Sequence, residues 1–198
     1  MGLEETPQEL KARWRREILA RRRALSPEEV ERRSAAVQEQ VLRHPAFAQA
    51  KVLALYVGVK GEVQTDRLLR AALEAGRRVA LPITLYEEGM LRFSEVWEPE
   101  QELRPAPFGL LEPAPEHQRP VAPEEFDWVL VPGVVFDRRG YRLGHGKGFY
   151  DRFLAQVRPD CVRAGLAYDF QVVEALPLEA HDVRLHLLFT ESQVLEFL

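Results

Sequence analysis

Between Val129 and Leu154 the chain collects residue types that handle phosphate. Gly144, Gly146 and Gly148 alternate with His145 and Lys147, and a helix-like segment, Phe149 to Leu154, follows. Glycines at every second position leave the backbone free of side-chain obstacles and open to unusual φ/ψ values. A glycine-rich turn entering a helix presents unpaired N–H groups and the positive end of the helix dipole, which suits an anion. Lys147 adds a mobile point charge. Asp151 lies four residues on, about one helical turn away, where a carboxylate can hold the magnesium that accompanies a nucleotide phosphate. The stretch is not a P-loop, because Gly148 follows Lys147 where Ser or Thr is needed. Nor is it a dinucleotide fingerprint, since the spacing is wrong and it follows a loop rather than the first strand. A plain tight turn remains the other reading of these glycines.

A second group of cations stands near the N-terminus. Lys11 and Arg15 are one helical turn apart on one face. They read either as part of a solvated basic face or as an anion site. Glu62 alone reads as a carboxylate at a helix start, and His181 and Asp182 alone read as loop.

These residues need elements to position them. Thr6, Pro7 and Glu9 form a capping box with proline at the first helical position, predicting a helix from Pro7 to about Ala24. Leu10, Trp14, Ile18 and Leu25 make its apolar stripe. Ser26, Pro27 and Glu29 repeat the signal, and a second helix runs to about Leu42, giving an antiparallel hairpin over residues 7–43. Val52 to Val57 reads as a buried parallel strand. A helix from Asp66 to Ala75, ended by Gly76, leads to a strand from Arg77 to Leu81, stopped by Pro82. That is a βαβ unit, and ligands of such sheets lie outside the carboxyl ends of the strands. Leu91 to Val96 is a further strand. Residues 98–123 are proline-rich and read as a long surface excursion. Val129 to Val131, Cys161 to Ala167 and Leu185 to Thr190 supply more strands, with a short helix expected after Gln171. The whole is one α/β domain over residues 1–198: a three-layer α/β/α, Rossmann-like arrangement with a mixed, mainly parallel sheet, preceded by the helical hairpin.

Composition narrows the classes. The chain has 198 residues, 46% hydrophobic and 29% charged, enough for a packed core. A net charge of -4 provides no field for nucleic acid. The one cysteine, Cys161, allows no internal disulfide, fits a reducing cytoplasm and reads as a buried inert thiol. No apolar run reaches the roughly 20 residues that span a bilayer, and the polar N-terminus is no signal peptide. A monomer is expected.

Gly140, Arg142, Leu143, Gly144, Gly146, Lys147, Gly148, Phe149, Tyr150, Asp151 and Leu154, after Pro132-Gly133 and Phe136-Asp137, closely resemble the signature of the 5-formyltetrahydrofolate cyclo-ligases, also called methenyltetrahydrofolate synthetases. The resemblance extends to most of the chain. It implies ATP contacts at Lys11 and Arg15 and along Arg142, Leu143, Gly144, His145, Gly146, Lys147, Gly148, Phe149 and Tyr150. It implies folate contacts at Val57, at Glu62 and along His145, Gly146, Lys147, Gly148 and Phe149. Asp151 and Asp182 would hold magnesium, and Lys147 would be catalytic. Phe108 to Pro113 also fits the family, although Ala106 stands where asparagine is frequent. The implied reaction is ATP-dependent cyclisation of 5-formyltetrahydrofolate, which can carry a polyglutamate tail, to 5,10-methenyltetrahydrofolate, with release of ADP and phosphate. Two other readings stay open. One is an inactive cyclo-ligase-like module that binds a nucleotide or RNA. The other is a phosphosugar-isomerase-like enzyme of similar fold, which would have no use for the Lys11 and Arg15 pair.

Overall fold

The computed structural model describes residues 2–197. Helix α1 (Pro7–Arg23) begins in the expected capping box, with the Thr6 hydroxyl accepting from the Glu9 amide at 3.2 Å and the Glu9 carboxylate accepting from the Thr6 amide at 2.8 Å. Ser26 caps α2 (Pro27–Arg43), and a short α3 (Pro45–Gln49) follows. The rest of the chain runs β1 (Val52–Ala54), α4 (Asp66–Glu74), β2 (Arg78–Leu85), β3 (Met90–Val96), α5 (Pro99–Glu102), β4 (Leu103–Pro105), β5 (Leu111–Pro113) and β6 (Pro120–Val121). It continues with β7 (Trp128–Val131), β8 (Val135–Asp137), β9 (Arg142–Leu143), α6 (Phe149–Leu154), β10 (Val162–Leu166), β11 (Val172–Val173), β12 (Leu187–Phe189) and β13 (Val194–Glu196).

The main sheet has the order β13-β12-β10-β7-β1-β2-β3-β6. Its inner strands β12, β10, β7, β1 and β2 are parallel, and the additions at both edges are antiparallel. Residue alternation explains why it is buried on both faces. Leu53, Leu55, Val79, Leu81, Trp128, Leu130, Ala164 and Leu166 pack with Val37, Val41, Phe47, Leu68 and Ala72 from the helices on one side. Ala54, Ala80, Val129, Val131 and Leu188 point to the opposite side, where Phe136, Phe153 and Leu154 cover them. Apolar residues at consecutive positions are what a doubly covered parallel strand requires.

Some local expectations change. β1 pairs only to Ala54, although the Leu55 amide still donates to Ala80 O at 3.0 Å. Beyond it the Tyr56 carbonyl is taken by the Thr65 hydroxyl, so the chain leaves the sheet early. Pro82 does not stop β2, which continues to Leu85. Pro82 lies beyond the last β2 residue paired with β1 and opposes Phe93 of β3. With one side of the strand already free, a missing N–H is tolerated. No helix follows Gln171. The β-branched Val172 and Val173 instead pair with β8 in a small sheet, β11-β8-β9. Residues 98–123 form a short helix, the β4–β5 hairpin and edge strand β6 rather than open loop. β13, unforeseen, closes the far edge.

The small sheet is the dock for α1. Ile18 packs with Val134, Val135, Leu143 and Leu176. Fully buried Asp137 secures the turn between β8 and β9. One of its oxygens accepts from the amides of Arg139 (2.9 Å) and Tyr141 (3.0 Å). The other accepts from the Leu176 amide (2.9 Å) and the Arg139 guanidinium (3.1 Å). Asp137→Ala would strand these donors and is expected to lose about 3–5 kcal/mol in chemical denaturation. Asp137→Asn should restore little of that loss, because its amide nitrogen must face N–H donors on one side.

Candidate active site

β1 and β7 are parallel neighbours, so their carboxyl ends open side by side. The loop after β1 carries Tyr56, Val57, Lys60 and Glu62. The chain after β7 passes Pro132 and Gly133 into the β8–β9 hairpin, then into the glycine loop. α1 lies across the hairpin. Between them opens a cleft of about 1530 Å³.

All the residues singled out in the sequence line this one cleft: Lys11, Arg15, Val57, Glu62, the run from Arg142 to Asp151, and Asp182. The apolar stripe expected on α1 proves the lesser part of the story. The buried residues of that helix are Lys11, Ile18 and Arg22. Ile18 anchors the helix, and the cations at 11, 15 and 22 share its face at helical spacing. The solvated-face reading therefore fails for these three. Lys11 Nζ lies 3.6 Å from a Glu179 oxygen, to which Gln8 also donates at 3.3 Å. Arg15 Nε donates to Gly144 O at 2.8 Å and so ties α1 to the glycine loop.

The loop is shaped by its glycines and fastened by arginines. Gly146 and Gly148 have φ of 94° and 73°, values that favour glycine. Arg152 of α6 donates to Lys147 O at 2.8 Å and to Gly89 O at 2.7 Å, joining the loop to the β2–β3 turn. Arg142 donates to Pro132 O at 3.0 Å and lies 3.4 Å from Asp151. Burial makes its charged form less favourable, and Asp151 and Asp182 offset this. The Lys147 side chain has no partner in its own loop and is exposed to the cleft.

Part of the lining is aromatic. Tyr86 meets Phe108 and Phe149 at ring distances of 5.8 and 6.0 Å. Phe108 is 68% exposed with a positive φ of 65°, and the Lys60 ammonium stands 5.9 Å from its ring. Glu112 accepts from the Thr84 amide at 3.0 Å, which clamps the β4–β5 hairpin against this wall. Burial pushes the Glu62 carboxyl above its ordinary range, opposed by the charges of Arg22 and Lys60 and by the Val59 amide at 3.1 Å. His145 is held below the usual imidazole range by partial burial and by Arg22, Arg15 and Lys60, so it is neutral at neutral pH. Burial also raises the Tyr56 and Tyr150 hydroxyls, which stay protonated.

Asp151 and Asp182 offer hard oxygen donors suited to magnesium. Asp182 takes the Glu179 amide at 2.8 Å, and oxygens or nitrogens of Glu179, His181 and Asp182 come within 4.8 Å of one another. Sequence reading missed Arg22, Tyr56, Lys60, Tyr86, Phe108, Arg152 and Glu179 as cleft residues. Arg22 carried a usable signal in its seven-residue spacing from Arg15, and Phe108 in opening the segment that fits the family. Cys161, by contrast, is buried as expected, and its thiol is pushed up to about 12.

The sequence model of the 5-formyltetrahydrofolate cyclo-ligase family matches residues 7–191. The chain belongs to this family. Relatives include the 5-formyltetrahydrofolate cyclo-ligase of Escherichia coli K12, 33% identical over 182 residues that cover 91% of this chain and all of that protein. The probable cyclo-ligase of Caenorhabditis elegans is 32% identical, covering 87% and 88%. Among solved structures, the 5,10-methenyltetrahydrofolate synthetase of Aquifex aeolicus superposes with a TM-score of 0.82 at 38% identity, covering 94% of this chain and 92% of that one. That of Mycoplasma pneumoniae gives 0.74 at 27% identity, covering 91% and 98%. The cyclo-ligase fold is thus the fold of this chain. No helix among the described residues is long and apolar enough to cross a membrane.

The raised Glu62 carboxyl has a consequence for stability. A folded-state value above the unfolded one favours the protonated form, so this stabilising contribution is present at low pH and lost as pH rises through the folded value. At neutral pH the ionised side chain therefore weakens the fold. Glu62→Gln keeps an oxygen for the Val59 amide and should raise the unfolding temperature at neutral pH. The gain should vanish below the ordinary carboxylate range, as thermal melts at the two pH values would show.

Proposed function

We propose that the cleft performs the ATP-dependent cyclisation of 5-formyltetrahydrofolate to 5,10-methenyltetrahydrofolate, with release of ADP and phosphate. One observation carries the reading: one cleft is lined by cations (Lys11, Arg15, Arg142 and Lys147), by aromatic rings (Tyr86, Phe108 and Phe149), and by Val57 and the carboxylate of Glu62. The cations suit a polyphosphate, and the rings with Glu62 suit a flat heterocycle with N–H donors.

The chemistry explains why both must meet. A formamide oxygen is a poor leaving group. Transfer of the γ-phosphoryl to that oxygen leaves ADP and makes an activated carbon on N5. N10 then attacks it, the C–O bond breaks, and phosphate departs with the former formyl oxygen and the N10 proton. No protein base is required. Phosphoryl transfer asks for alignment and for positive charge around the moving group. Lys147, exposed to the cleft and without a side-chain partner among the described residues, supplies charge on a flexible stem that can follow the phosphoryl. Arg15 holds the loop through Gly144 O while aiming its remaining N–H groups into the cleft. Arg142, fixed by Pro132 O and Asp151, gives a charge that does not move. Neutral His145 lines the pocket without a proton-transfer role. Asp151 and Asp182 would hold magnesium, which would neutralise charge on the phosphates. The acting unit is a monomer in this reading. Lys60, exposed beside Phe108, suits the anionic tail of a polyglutamylated folate.

The assay mixes the protein with 5-formyltetrahydrofolate and Mg-ATP and follows the ultraviolet absorbance of the methenyl product. Product should form only with ATP. Lys147→Ala should lower kcat by about 10²–10³-fold, the cost of losing one preorganised group at a charged transition state. Folded protein that forms no product would refute the reading.

A further inference from the structure

Arg22 differs from the other cations of the cleft. It follows Lys11 by eleven positions and Arg15 by seven, which brings it onto the same face of α1. Lys11 has Glu179, Arg15 has Gly144 O, and Arg142 has Asp151 and Pro132 O. Arg22 is only 5% exposed, its Nε is buried without a hydrogen-bond partner, and its guanidinium enters no ion pair among the described residues. A buried charge without a partner is costly, and such groups are ordinarily completed by something. Arg22 lines the cleft, so a ligand can complete it.

Its position says which part of a ligand. The Arg22 backbone carbonyl lies 3.2 Å from where a Cβ on Gly61 would stand, next to Glu62. Glu62 and Arg22 influence one another electrostatically without forming an ion pair. They therefore offer acceptors and donors side by side. Adenine has no carbonyl to accept from an arginine. The 2-amino-4-oxo ring of a folate does: its exocyclic amine and N3–H are followed at once by the C4 carbonyl. We propose that Arg22 is a substrate-binding residue, donating to the C4 carbonyl of the folate ring whose amine and N3–H are accepted by Glu62. The inference rests on the reading of the cleft as a cyclo-ligase site, and it gives Arg22 the task of telling the folate ring from other flat rings.

Binding titrations of 5-formyltetrahydrofolate without nucleotide, and of Mg-ATP without folate, test it on the native protein and on Arg22→Gln. Folate binding should weaken by about tenfold or more, with nucleotide binding unchanged, since a lost charged hydrogen bond has that size. Arg22→Gln in a Glu62→Gln background should weaken folate binding again, because Arg22 makes its own contact. No further loss there would mean that Arg22 acts only by way of Glu62, and would overturn the proposal. So would equal folate affinity in native protein and Arg22→Gln, or a loss confined to Mg-ATP, which would assign Arg22 to the phosphates. Arg22→Lys keeps a charge in the same packing and should show the same folate-only loss in smaller measure. It decides the matter if Arg22→Gln fails to fold. If native protein binds Mg-ATP but no 5-formyltetrahydrofolate, the function itself is refuted, an outcome separate from the others.

Discussion

Everything in the cleft depends on an apolar contact far less conspicuous than its charges. Ile18 seats α1 among Val134, Val135, Leu143 and Leu176. That burial, with the partly buried Trp14 and Leu19, helps hold Lys11, Arg15 and Arg22 against a wall that already carries Arg142 and Lys147. Like charges converging in a partly dry space repel, and His145, held below the usual imidazole range first by burial, is pushed further by Arg22, Arg15 and Lys60. A single isoleucine and the hydrophobic floor beneath it offset the repulsion. The hydrogen bond from Arg15 to Gly144 O then converts the docking of a helix into the shape of a loop.

The division of labour between rigid and mobile groups follows from the same arrangement. Arg142 and Arg152 are bound at both ends of the guanidinium fork, to backbone oxygens and, for Arg142, to Asp151. They define where the glycine loop runs. Gly146 and Gly148 let it turn where a side chain would be strained. Lys147 is left free to move, on a loop whose path is fixed. That is a sensible partition for a reaction in which charge travels from one oxygen to another.

Much of this was legible in the sequence, and the rest was hidden for physical reasons. The capping boxes at Thr6 and Ser26 marked both helix starts, and the apolar runs at Val52 and Val129 marked strands buried on both faces. The glycine loop, Lys147 and Asp151 stood out by residue type, the family resemblance drew in Lys11, Arg15, Glu62 and Asp182, and all of them line one cleft. The apolar stripe of α1 held, with Ile18 buried and Trp14 and Leu25 packed against the core, but hydropathy cannot anticipate that Lys11 and Arg22 are buried beside it. Pro82 read as a stop since sequence does not disclose that β1 has already ended beside it. Tyr86 carried no signal, and Phe108 was noticed only as part of a family segment, because two aromatics in separate loops meet only once the chain folds.

The contact between Gln8 and Glu179 joins positions 171 residues apart. During synthesis α1 emerges well before Glu179 and Asp182, with its cations in water until those residues arrive. Local structure forms early and such distant pairings come last. A chain interrupted before residue 179 would therefore lack one wall of the cleft whatever else had folded. The cleft is thus a late product of folding, closed only when segments far apart in the sequence meet.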